Sequence, residues 1–222
     1  ELLNDMFSQM TGSENSDPDI IIPKLCNLHN MLSKYSKIYK LLLNFSEFVD
    51  KFPEHKDSFM EIAVFIEKIE KLVGTDNKLT ETALRNSSSD EVNALYKSLK
   101  KTNEVQTIVI ISSNLGKYKK YLSDKDNLGD GFIKREPGLS LIPLTFTNLD
   151  LKILWSSDKL SDMAKKYILN ILSHTYTIGH TMYQTITSPD IDIKKFSSVL
   201  INNIDKMKKQ IPRCNKAFDI IA

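Results

Sequence analysis

Arginine is nearly missing from this chain. Arg85, Arg135 and Arg213 are its only three among 30 basic residues, and the rest are Lys. Arg is the usual side chain for forked contacts to phosphates and base edges, so its scarcity counts against a reader of nucleic-acid sequence. The shortage itself fits AT-rich coding, because Lys, Asn and Ile are abundant. Cysteine is equally sparse. Cys26 and Cys214 lie far apart and form no CxxC pair, which is the pattern of free thiols in a reducing compartment. No apolar run reaches the roughly 18 residues of a membrane span. No leader peptide is visible, although Glu1 is not an initiator Met. The net charge of +2 is too small for attraction to polyanions by field alone.

Catalytic signatures are missing as well. There is no GxSxG or HExxH, and no phosphate loop: Gly116-Lys117 is followed by Tyr118 and lacks the preceding Gly. Asp124-Lys125-Asp126-Asn127-Leu128-Gly129 resembles the opening of an EF-hand loop. It departs where Leu128 replaces an oxygen ligand and Arg135 stands in place of the closing Glu, so we read an acidic turn. His174 and His180 are six apart, which points them to different sides of a helix and does not suit zinc. Glu67 and Glu70 fall on solvated helix faces by phase. Asn44-Phe45-Ser46 and Asn86-Ser87-Ser88 match glycosylation sequons, the first of them inside an apolar seam. No catalytic residue, cofactor-binding residue, metal ligand or cofactor is assigned.

What is present is a regular apolar stripe. Leu25, Leu28, Leu32, Tyr35, Tyr39, Leu42, Ser46 and Val49 alternate three and four apart, with only Ser46 polar. Phe59, Ile62, Ile66, Ile69 and Val73 repeat the spacing. Side chains on one helical face recur every 3.6 residues, so these are two long seams that need partners. With 41% hydrophobic and 26% charged residues, the chain has the composition of an ordinary globular protein. The reading is all-α: a multi-helix bundle of about seven to nine helices, with an ordered irregular Gly/Pro excursion.

Along the chain, residues 1–22 read as a short helix and a polar linker, and 23–222 as one helical-bundle domain, truncated at its C-terminus. The linker covers 11–19. A first helix is expected over about 23–51, with Pro23 in its first turn. Pro53 breaks the chain, and a second helix spans about 54–73, ended by Gly74 and antiparallel to the first. A short helix near Leu79–Leu84 follows. The next is capped by Ser89 or Asp90 and uses Val92, Leu95, Tyr96 and Leu99. Over 104–122 the β-branched run Thr107–Ile111 would also suit a buried strand, but the pattern continuing to Tyr118 and Leu122 favours a helix. Residues 123–147 form the Gly/Pro excursion. A short helix near Leu149–Trp155 and a long one over about 159–187 come next. In the long one, Gly179 lets another backbone approach closely. Ser188-Pro189-Asp190 then restarts the chain into a helix burying Ile193 to Met207.

Two surfaces are candidates for contact. Phe132, Leu139, Leu141, Leu144 and Phe146 in the excursion form a candidate partner surface, beside any uncovered part of the first seam. Lys117, Lys119 and Lys120, interleaved with Tyr118 and Tyr121, are candidate nucleic-acid contacts, with Lys206, Lys208 and Lys209 as a second cluster. Tyr176, His180 and Tyr183 share one helical face.

The segments Ile133-Lys134-Arg135-Glu136-Pro137-Gly138-Leu139-Ser140 and Thr187-Ser188-Pro189-Asp190-Ile191-Asp192, within a Lys/Asn/Ile-rich helical style, resemble uncharacterised proteins of nucleocytoplasmic large DNA viruses. The resemblance implies an intracellular viral product, cytoplasmic in the host cell or associated with the virion. The functional expectation is a non-enzymatic interaction or scaffold protein with a protein partner or self-association. The alternatives are a nucleic-acid accessory protein using the Lys clusters, or an enzyme with a spatially assembled site near the excursion.

Overall fold

A computed structural model describes residues 17–44, 50–74, 80–122 and 157–187, and within them the regular structure is helical, with no strand. Residues 1–16, the excursion with its partner surface Phe132, Leu139, Leu141, Leu144 and Phe146, and the lysines Lys206, Lys208 and Lys209 lie outside the described residues. So do Ser46, Val49, the acidic turn at Asp124–Gly129, the helix expected near Leu149–Trp155 and everything after Thr187.

Helix α1 runs Pro18–Leu43. It begins five residues before the expected start, because Asp17 accepts from the Asp19 backbone N–H at 3.0 Å and Pro18 occupies the first turn. The expected boundary at 22/23 therefore falls inside a helix, and residues 17–19, expected in the linker, form the cap and first turn of that helix. Pro23 sits in the helix interior, where it removes one backbone hydrogen bond. Burial of Ile21, Ile22 and Leu25 on either side opposes that cost. The helix ends at Asn44, whose N–H reaches the Lys40 carbonyl, and Asp50 and Lys51 already form a turn. It is thus shorter than expected, because Asn competes with the helix for backbone bonds.

Pro53 opens a 3-10 turn, Pro53–His55, behind a buried Phe52, and α2 follows over Lys56–Val73. Gly74 ends α2 with φ of +68°, a conformation that favours glycine, and its N–H donates to the Glu70 carbonyl at 2.9 Å. The first two helices run antiparallel: His29 Nε2 lies 2.8 Å from the Val73 carbonyl, Ser36 Oγ donates to Glu70 at 2.9 Å, and Tyr35 meets the edge of Phe65 at 6.1 Å. Glu70, expected on a solvated face, also pairs with Lys40 at 2.5 Å.

Thr80 caps α3, Glu81–Arg85. Helix α4, Ser89–Lys100, starts from Ser88 rather than the expected Ser89 or Asp90. The reason is reciprocity: Ser88 Oγ accepts from the Glu91 N–H, while the Glu91 carboxylate accepts from the Ser88 N–H. Val92, Tyr96 and Leu99 are buried as expected. Leu95 is 39% exposed, at the margin of that face.

Thr102 caps α5, Asn103–Gly116. The β-branched run is therefore helical, and burial of Ile108, Val109 and Ile111 outweighs its small propensity deficit. The expected single helix to Leu122 is interrupted at Lys117–Tyr118, after which α6 covers Lys119–Leu122. Ser161 Oγ accepts from the Ala164 N–H and starts α7, Asp162–Thr187.

The seams are closed. Leu25, Leu28, Leu32, Tyr35, Tyr39 and Leu42 are buried, as are Phe59, Ile62, Ile66 and Ile69, with Val73 packed at the edge. Helix α1 packs against α2, α4 and α7, while α7 packs against α1 and α5. From Leu25 to Leu42 the first seam therefore offers no open apolar strip.

Candidate functional site

Helices α5 and α7 cross closely, and two sequence signals meet there. Gly179 makes it: a Cβ there would collide with Ser112 Cβ and stand 2.7 Å from the Ile108 carbonyl oxygen. Only a residue without a side chain lets the helices approach so far. Ser112 Oγ uses the proximity to donate to the Tyr176 carbonyl at 2.7 Å. The close approach expected at Gly179 is thus present.

One turn along, the Tyr176 and His180 rings stack at 5.6 Å with a 12° interplanar angle, as their shared helical face implied. Lys119 Nζ lies 5.9 Å from the Tyr176 ring centre. Burial, and then the positive charge of Lys119, hold the His180 imidazole below its ordinary pKa, so it is neutral at pH 7 and can stack or accept a proton in a hydrogen bond. Lys117 and Lys119 are exposed. Lys120 belongs to α6, while Tyr183 is half-buried on the same helix as the stacked pair. The structure therefore brings one lysine of the basic-aromatic segment to the Tyr176–His180 platform. A flat aromatic surface with a nearby cation can stack a planar ring and oppose a phosphate.

Polar groups inside the bundle bond across helices. Asn27 Nδ2 donates to Thr185 Oγ1 at 2.6 Å, Tyr39 shares a 3.2 Å hydrogen bond with Thr175, and the Tyr96 hydroxyl donates to the Thr185 carbonyl at 3.4 Å. Thr175, Thr177, Thr181, Thr185 and Thr187 each donate to the carbonyl four residues back, at 2.8–2.9 Å, which satisfies their hydroxyls without a partner helix. Burial pushes the Tyr39 and Tyr35 phenols up and lowers His174 to about 4. His174 is therefore a neutral interior side chain. The histidines do not converge: His29 sits on α1, His55 in the 3-10 turn, and His174 and His180 on α7. Among the described residues no His, Cys, Asp or Glu cluster could hold a metal. Burial and the charge of Glu81 raise the Cys26 thiol, the opposite of a nucleophile's activation.

Sequence reasoning missed Asn27, Ser112, Thr175 and Thr185 as interhelical struts. Their signal was available as polar residues at apolar phase.

This chain, helical and without strand among its described residues, resembles proteins of nucleocytoplasmic large DNA viruses in sequence as well as in style. The particular relatives are forms of Protein H339R of African swine fever virus. The Tick/Malawi isolate's protein is 29% identical over 231 residues, covering 97% of this chain and 66% of the relative. The Pig/Kenya isolate's is 34% identical over 133 residues, covering 60% of this chain and 38% of the relative. The chain thus spans less than two thirds of the length of these relatives. No family profile matches the chain, and no solved structure does at a significant level. No helix of the described residues is long and apolar enough to cross a membrane.

Proposed function

We propose that this viral-type chain is a non-enzymatic interaction or scaffold protein, intracellular or virion-associated, built as a bundle of seven to nine helices. The observation that carries the reading lies on the outside of α2. Met60 and Val64, 57% and 50% exposed, are one helical turn apart on the face opposite the buried one. The interior polar groups support the reading too, because Asn27, Ser112, Thr175 and Thr185 serve to register helices. Chemical cross-linking in infected cells followed by mass spectrometry tests it. Reproducible links from α2 to a defined viral or host protein, or to another copy, are expected. Recovery of the chain without any inter-protein link contradicts it.

One observation favours a second reading, a nucleic-acid-associated accessory protein: Lys119 stands over a tyrosine stacked on a histidine. A retarded band at low salt, lost on Tyr176→Ala with Lys119→Ala, is its expected result. A blank gel at low salt removes it.

A further inference from the structure

We infer that the outer face of α2 is a twofold contact with a second copy of this chain, a partner that rests on the interaction reading above. Seven residues define the face: Asp57, Met60, Glu61, Val64, Glu67, Lys68 and Lys71, all exposed. On a helical projection at 100° per residue they fall within about 60° of Val64, while Phe59, Ile62, Phe65, Ile66 and Ile69 point to the core.

The order of charges is what selects the occupant. Acidic Asp57 and Glu61 precede Val64 and basic Lys68 and Lys71 follow it, while acidic Glu67 lies on the flank opposite Glu61 and Lys68. Asp57 and Lys71 are equally far from Val64, about 10 Å along the axis at 1.5 Å per residue. An antiparallel copy related by a twofold at Val64 therefore places Asp57 against the copy's Lys71 and Glu61 against its Lys68. The symmetry repeats both pairs, giving four oppositely charged contacts around a centre of Val64 and Met60 from each chain. A parallel copy would set like charges against like. Among the described residues these four charged side chains make no ion pair or hydrogen bond, unlike Glu54, Glu70, Glu81 and Arg85 elsewhere on the bundle. The apolar centre is small, so the contact is a weak isologous one that gains where copies are concentrated.

Sedimentation equilibrium of the purified chain over about 10 μM to about 1 mM reads it. The weight-average mass rises toward twice the protomer, and low salt strengthens the association. Val64→Lys abolishes the rise while leaving the circular dichroism and thermal midpoint unchanged. Asp57→Lys with Glu61→Lys weakens association at least about tenfold, and adding Lys68→Glu with Lys71→Glu restores it, because the charge order is merely reversed. A protomer mass throughout the range overturns the inference, as does undiminished association of Val64→Lys or failure of the four-fold swap to rescue. Such a failure leaves the interaction reading standing if infected-cell links to a different protein persist, and both fall if there are none.

Discussion

Replacing Gly179 with Ala puts one methyl group into the close crossing of α5 and α7. The Ile108 carbonyl would be about 0.7 Å inside the 3.4 Å at which ordinary contact begins, and Ser112 Cβ closer still. Neither neighbour is a flexible chain end, so α5 and α7 must separate. Overpacking of this kind costs about 1–3 kcal/mol. Separation also stretches the Ser112–Tyr176 hydrogen bond, worth about 1 kcal/mol. Against these stands the helix preference of Ala over Gly, about 1 kcal/mol. The net expectation is a loss of about 1–3 kcal/mol, read as a lower urea midpoint at unchanged slope. Gly116→Ala is the internal control. Its methyl would meet only the Tyr176 ring edge at 3.3 Å, which can yield by tenths of an ångström, so its stability stays within about 0.5 kcal/mol of the parent. A Gly179→Ala protein as stable as the parent, or more stable by the propensity gain, would refute the close-crossing argument.

Three further perturbations probe other parts. His174 has a folded pKa of about 4 against about 6.5 unfolded, so the unfolded chain binds more protons between those values. Its contribution is complete above pH 6.5 and is lost as pH falls, by about 3 kcal/mol at pH 4. His174→Gln should flatten the stability–pH curve in that window, and a slope equal to the parent's would contradict a buried neutral imidazole. Thr185→Val keeps the shape but strands the buried Asn27 amide, at a cost of about 1–3 kcal/mol by urea titration. No loss would mean the strut carries nothing. Ser88→Ala removes the α4 capping box and should cost about 1 kcal/mol, measured the same way.

The seams could be read from spacing because a long helix exposes its periodicity directly, and Leu25 to Leu42 are buried where phase puts them. Gly179 was readable for a related reason: a glycine inside a helical pattern has few uses other than close approach. Helix starts were less legible. Pro23 and Pro18 both suit a first turn, and only the Asp17 side chain decides between them. Ser88, Ser89 and Asp90 are all good caps, and the choice fell to the residue with Glu three places on. Leu95 shows the limit of phase at the edge of a stripe, where burial depends on how wide the neighbouring helix is. The Lys119–Tyr176 approach joins residues 57 positions apart in sequence, so no local pattern could report it. Thr175 and Thr185 read as mild disruptions of an apolar face until back-bonding to α7 and contacts to α1 explain them.

The bundle is organised around α1, which is enclosed by α2, α4 and α7. Hydrogen–deuterium exchange of the amides between Leu25 and Leu42 tests this directly, since these should open only with global unfolding and stay protected for hours under native conditions. Exchange of that segment within seconds, while α7 remains protected, would contradict it.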